Sequence, residues 1–423
     1  RGASRERLGD DVAIDIFPAQ EGTSFYATLT DPTAAGGSGL IARMAKEEEE
    51  ARCRMIALQE EIDWETYRLY GLLDEDLTLP ESETLPEVAL GERAFEIALA
   101  RKIVAGQESS AWFERHSSKP VTEIPTHWPE TYRALVQRRL DLIESDRFIG
   151  LLERPEYKRR WATEPWDKRV EKALRGWLLD RLEDKRFWFD AAGRPRAMSV
   201  SALADEVARD EDLRSTLSLW AGQHDIDVAA ALEKLLGTEH VPYLASWRLK
   251  EPGLRKRREW ERTWDLQRAE DRGEKVGDIP VPPKYTTADF RKTSYWSHRG
   301  KLDVPKERFI SYPGGNRETD PSTLLGWAGW DHAQQSLALA TIINARTAEG
   351  VSDERLTPLV AGMAELEPWV DQWHDEADAN GINLAEFLRA TLDDHLHRLS
   401  LTCAQLLDWT PPASPRGRRK KAT

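Results

Sequence analysis

The chain has 423 residues, with 60 Lys and Arg against 74 Asp and Glu for a formal charge of −14, and 40% of its residues are hydrophobic. That length suits two or three domains, and that balance of apolar and charged side chains excludes a wholly disordered protein. No apolar run approaches the roughly 18 residues that a membrane helix needs, and two well-separated cysteines, Cys53 and Cys403, exclude a disulfide scaffold or a cysteine-based zinc knuckle.

The opening Arg1-Gly2-Ala3-Ser4 has neither Met nor a basic segment leading into an apolar one, so a cytoplasmic location within a longer chain is expected. Residues 1–42 are rich in Gly, Ser, Pro and Thr, and Ala34-Ala35-Gly36-Gly37-Ser38-Gly39 reads as a flexible linker. From residue 43 the pattern turns helical, with Met55, Leu58, Ile62, Leu69 and Leu73 forming one apolar stripe on a long helix. Leu79-Pro80 and Leu85-Pro86 interrupt it.

A second helix follows Pro129, carrying Tyr132, Leu135, Val136, Leu140 and Ile143 on one side. A third follows Pro165, with Trp166, Val170, Ala173, Leu174 and Trp177. Helices are expected around 199–211, 226–236, 240–250, 253–273, 331–349, 354–377 and 384–400, and short extended pieces at Arg308–Tyr312 and Leu324–Trp327. The fold class is therefore mainly α: multi-helical accessory domains with a small β element near 305–330. The domain reading is a linker at 1–42, a helical domain at 43–190, a helical segment at 191–283, a C-terminal module at 284–410 and a disordered basic tail at 411–423. Most of the 17 tryptophans are expected in helix packing.

Three patterns that could carry chemistry read better as structure. Asp31-Pro32-Thr33 and the glycines after it echo a methyl-donor loop, but a charged helix follows where a parallel βαβ unit is required. The pair His395 and His397 lies two apart on a helix and cannot share an ion; His395 instead joins the stripe of Leu388, Leu392 and Leu399. Lys256, Trp260, Trp264 and Arg268 form a cation–indole–indole–cation face that could track phosphates, although the helix neutralises much of its own charge. The expectation is no catalytic, metal or cofactor residue in this segment.

The most informative stretch runs from Lys284 to Gly315. Between Lys284 and Arg308 stand seven Lys and Arg against three acids, interleaved with hydroxyls and rings. Cations and hydroxyls can fix a phosphate backbone while rings stack on bases; a solvated loop anchored by its aromatics would have similar composition. The candidate nucleic-acid contacts are Lys284, Tyr285, Arg291, Lys292, Tyr295, Trp296, His298, Arg299, Lys301, Lys306 and Arg308, joined by the tail residues Arg416, Arg418, Arg419, Lys420 and Lys421.

This stretch, with Ser322-Thr323-Leu324-Leu325-Gly326-Trp327-Ala328-Gly329-Trp330-Asp331-His332, resembles the C-terminal region of the PglX family of adenine-specific DNA methyltransferases, from the phage growth limitation system or type 2 BREX. Ala57-Leu58-Gln59-Glu60-Glu61-Ile62-Asp63-Trp64-Glu65, Gly91-Glu92-Arg93-Ala94-Phe95-Glu96-Ile97 and Ile149-Gly150-Leu151-Leu152-Glu153-Arg154-Pro155-Glu156-Tyr157 carry the same likeness, from about residue 50 to the end. The resemblance implies a preceding domain that moves a methyl group from S-adenosylmethionine to the N6 amino group of adenine. Its Asn-Pro-Pro-Tyr-type motif has no counterpart here, so no catalytic residue is carried over. What is implied for this chain is a non-catalytic accessory part, with DNA and other phage-defence proteins as partners and no membrane. The alternative is a protein-interaction module in which exposed Trp faces dock other defence components.

Overall fold

The computed structural model describes residues 36–377 and 381–412. The fold is mainly α with one small sheet. The chain divides into two compact units, Arg1–Ala173 and Leu174–Thr423. Helices of seven residues or more are labelled here in chain order.

The first unit holds α1 (Gly36–Leu69), α2 (Ala94–Val104), α3 (Glu130–Ser145) and the start of α4 (Trp166–Leu182). Helix α1 already begins at Gly36, inside the stretch read as linker, because once the strongly helical run after residue 43 nucleates, each further turn costs little. The core contains Ile56, Trp64, Ile97, Tyr132, Ile143 and Ile149. The predicted stripe of α1 is not its buried face: Met55, Leu58, Ile62 and Leu69 are exposed, while Cys53, Ile56, Ala57, Trp64 and Tyr67 point inward.

This core also encloses charge. Arg139 is fully buried, with Nη2 donating to Glu61 at 2.6 Å and to the Leu77 carbonyl at 2.7 Å, and its guanidinium 5.3 Å from the Trp64 ring centre. Lys158 donates to Asp63 at 2.9 Å and to Glu153, which also accepts from the Tyr67 hydroxyl at 2.8 Å. Glu60 accepts the Ala94 N–H at 2.8 Å, at the start of α2. Burial pushes its carboxyl up to about 7, against the pull of Arg139.

In the second unit, β1 (Met198–Ser199) leads into α5 (Val200–Arg209), followed by α6 (Glu211–Ala221) and α7 (Val228–Leu236). Ser199, Asp210 and Asp227 cap these three helices by accepting the N–H groups of Ala202, Leu213 and Ala230. Next come β2 (His240–Pro242), α8 (Glu251–Asp271), α9 (Thr293–Arg299), β3 (Phe309–Ser311) and β4 (Leu324–Trp327). The last long helices are α10 (His332–Ala348), α11 (Asp353–His374) and α12 (Leu384–Leu399).

The sheet order is β1-β4-β3-β2. Antiparallel pairs place Met198 opposite Leu325 and Phe309 opposite Trp327, while β2 runs parallel to β3 with His240 opposite Phe309. The two extended pieces near 305–330 are therefore β3 and β4. The helix expected over 240–250 is instead β2 followed by a short helix, Ala245–Arg248. Pro242 lacks the N–H that a helix interior uses, and it sits at an edge strand, where a missing donor is tolerated. Leu203, Leu217, Leu235, Phe309, Leu325, Leu339 and Leu359 fill the core between sheet and helices.

Candidate nucleic-acid interface

The basic stretch lies in the second unit, on an aromatic footing. Tyr285, Phe290 and Tyr295 are buried with Val241 and Leu249, and Trp296 packs against them with its ring 5.5 Å from that of Phe290. Backbone bonds tie the strip down: the Arg291 N–H to the Arg248 carbonyl at 2.8 Å, and the Tyr285 N–H to the Lys301 carbonyl at 3.3 Å. Tyr285 and Tyr295 therefore face the core, which leaves the Tyr295 ring little surface to offer a base, while Trp296 is half-buried against them. A ring with nowhere better to hide its area is core before it is a platform.

The charges of the strip sort by sign. Its three acids are taken up internally. Asp289 accepts from Lys256 at 2.7 Å and from the Thr286 N–H at 2.7 Å. Asp303 meets Arg248 at 3.3 Å and Arg299 at 3.8 Å, and these cations hold its carboxyl below the usual range despite its burial. Glu307 binds Arg299 at 2.5 Å. Arg308 is drawn to Asp180 at 2.6 Å and Glu183 at 3.1 Å. Arg299 and Arg308 are thus neutralised, and His298 Nε2 lies 2.6 Å from the Thr238 carbonyl, so these three candidates brace the fold.

Lys284, Arg291, Lys292, Lys301 and Lys306 are exposed, and none of them forms an ion pair among the described residues. Lys292 lies 5.3 Å from the Tyr295 ring centre. Arg291 is partly committed, since its Nε donates to the Ser246 carbonyl at 3.0 Å and the Leu249 carbonyl at 2.9 Å. The surface left to solvent is cationic because the carboxylates of the same strip are turned inward. Arg416, Arg418, Arg419, Lys420 and Lys421 lie outside the described residues.

Residues 55–420 match the family described as Domain of unknown function (DUF7008). The chain belongs to that family. It is also 49% identical over 397 residues to a protein of Streptomyces coelicolor (strain ATCC BAA-471 / A3(2) / M145) named Adenine-specific methyltransferase PglX. That alignment covers 91% of this chain and 32% of the relative, so the DUF7008 chain spans about a third of the relative's length. No solved structure matches it.

The other basic face of this DUF7008 chain is also engaged by the chain's own residues, although Trp264 stays 37% exposed. Along α8, Lys256 is paired with Asp289, the Trp260 indole donates to the Pro283 carbonyl at 2.9 Å, Trp264 meets Trp369 edge-on, and Arg268 lies 4.6 Å from the Trp369 ring centre. His395 is buried, as a member of the leucine stripe should be, and burial lowers its affinity for a proton. Sequence reasoning missed Lys250, an exposed cation whose N–H donates to the Asp289 carbonyl at 2.7 Å. It also missed Arg248, the buried partner of Asp303. Both sit well upstream of the basic stretch, and no local pattern links them to it.

Proposed function

We propose that this chain is a non-catalytic C-terminal portion of an adenine-specific (N6) DNA methyltransferase of a bacterial phage-defence system, and that it contributes to DNA engagement. The observation that carries the reading is the sorting of charge between residues 284 and 308: exposed Lys284, Lys292, Lys301 and Lys306 outside ion pairs, with Asp289, Asp303 and Glu307 each held by a cation of the fold. An acidic chain can still meet a phosphate backbone where its cations stand apart from its carboxylates. The relative's name supports the methyltransferase context. In this reading the methyl donor S-adenosylmethionine belongs to the catalytic part of such an enzyme and not to this segment.

In this reading the contact is chiefly through phosphates, since the exposed groups of the strip are lysines while the Tyr285 and Tyr295 rings are buried. The test is titration of a fluorescent duplex with the 423-residue chain at several salt concentrations. Affinity should fall steeply with salt, and less steeply once Lys292, Lys301 and Lys306 are changed to Ala. Binding unaffected by those three substitutions rules this surface out.

A further inference from the structure

Arg93 and Glu96 form a buried pair in the first unit, with the guanidinium Nε and Nη2 each donating at 3.0 Å to a different carboxylate oxygen. Each partner also holds a second segment. Arg93 Nη1 donates to the Arg159 carbonyl at 2.9 Å, and Glu96 accepts the Trp112 indole N–H at 2.9 Å. The pair thereby brings together two stretches far apart in the chain, the short helix Trp112–Arg115 with the turn after it, and the strip at 159–161. Glu96 accepts the Gly91 N–H as well, at 2.9 Å, and Gly91, at φ 96°, lets the Lys119 carbonyl approach where a side chain would collide with it.

What these two stretches present to solvent is positive. Across residues 112–119 and 159–161, Glu114 is the one acid against four Lys and Arg. Arg115, Lys119, Arg159 and Arg160 are exposed, and none of them forms an ion pair among the described residues. Half-buried His116 lies beside them, its ring centre 4.1 Å from that of Trp112. Burial and the charge of Arg160 lower its affinity for a proton, with Arg93 and Arg115 pushing the same way and the buried Glu96 pulling against them. Arg115 and Arg160 thus act on one imidazole, although they come from different segments. Phosphate oxygens relieve such crowding of cations, and they can accept from the guanidinium and imidazole N–H groups alike.

We propose that Arg115, His116 and Arg160, flanked by Lys119, form a second phosphate-contacting surface for DNA, within the first unit. The inference rests on the reading of this chain as a DNA-engaging segment and adds a site that the strip at 284–308 does not contain. In titrations of a fluorescent duplex with the 423-residue chain at several salt concentrations, Arg115→Ala with Arg160→Ala should lower the slope of log affinity against log salt by about two. Circular dichroism should stay that of the parent, since both side chains are exposed. In histidine-labelled chain, the NMR signal of His116, assigned by its loss in His116→Gln, should titrate at higher pH with the duplex bound than without it. A slope indifferent to Arg115→Ala with Arg160→Ala, while Lys292→Ala, Lys301→Ala and Lys306→Ala still lower it, overturns this surface alone. So does a His116 titration that the duplex leaves unmoved. A parent chain without salt-sensitive DNA binding overturns both this surface and the reading it rests on.

Discussion

Arg299 reaches across the turn at Gly300–Leu302 to bind Glu307 at 2.5 Å, and the carboxylate it holds is 1% exposed. Asp303, in the left-handed conformation at φ 51°, is pinned from the other side by Arg248. Exposed Lys301 and Lys306 therefore project from a loop whose own acids clamp it to the fold.

Breaking that clamp should cost stability. Glu307→Ala leaves Arg299 without its closest partner in a largely buried site, a change expected to cost about 3 kcal/mol. Urea unfolding of the second unit checks this. Lys301→Ala and Lys306→Ala, on the exposed side of the same loop, should stay within about 0.5 kcal/mol of the parent.

The salt dependence of DNA binding separates phosphate contacts from braces. Each of Lys292→Ala, Lys301→Ala and Lys306→Ala should lower the slope of log affinity against log salt by about one. Arg308→Ala should lower stability and leave the slope unchanged, since its charge is already spent on Asp180 and Glu183. Fluorescence anisotropy at four or five salt concentrations reads both.

The buried carboxyl of Glu60 makes the first unit sensitive to pH. With its folded pKa raised to about 7, the native state holds a proton that the unfolded chain has released above the ordinary carboxyl range. Its contribution to stability is thus fully present below the ordinary carboxyl pKa of 4.5 and is lost progressively as pH rises to about 7. Glu60→Gln, which keeps the amide-sized shape without the charge, should flatten the melting temperature of the first unit between pH 5 and pH 8, against a decline over that window in the parent; scanning calorimetry measures it.

Gly326 in β4 admits no side chain. A Cβ there would stand 2.3 Å from the Trp330 ring and 2.9 Å from that of Tyr312. Gly326→Ala should cost about 3 kcal/mol, at the upper end for overpacking, because two buried rings must move together. Gly277→Ala, which meets nothing within 4 Å, is the control, and thermal melts of both variants decide the matter.

Much of the helical architecture was legible in the sequence because proline and apolar spacing mark α3, α4, α8, α10, α11 and α12 locally. Helix α1 shows the limit. Met55–Leu58–Ile62 and Ile56–Trp64–Tyr67 both have helical spacing, and only the rest of the first unit decides that the second set turns inward. Strand β2 is three residues long and exists through its pairing with β3, so His240–Pro242 carries no signal of its own. The cations of the candidate interface were visible in the sequence, but their fates were not. Arg308 is paired with Asp180, which is far away in the chain, whereas Lys301 meets no acid among the described residues; neither outcome follows from composition. The rings beside them were legible only as aromatic, since burial of Tyr285 and Tyr295 depends on Val241 and Leu249.

The small sheet dictates when the second unit can be completed during synthesis. Met198 must find Leu325, and β3 must seat between β2 and β4, so no subset of strands emerging from the ribosome can close the sheet before Trp327 has been made. Helices α5, α6 and α7 can form early, yet their inner leucines wait, uncovered, for a partner encoded much later. Such long-range closure is slow, and it makes the nascent second unit dependent on protection until its final strand arrives.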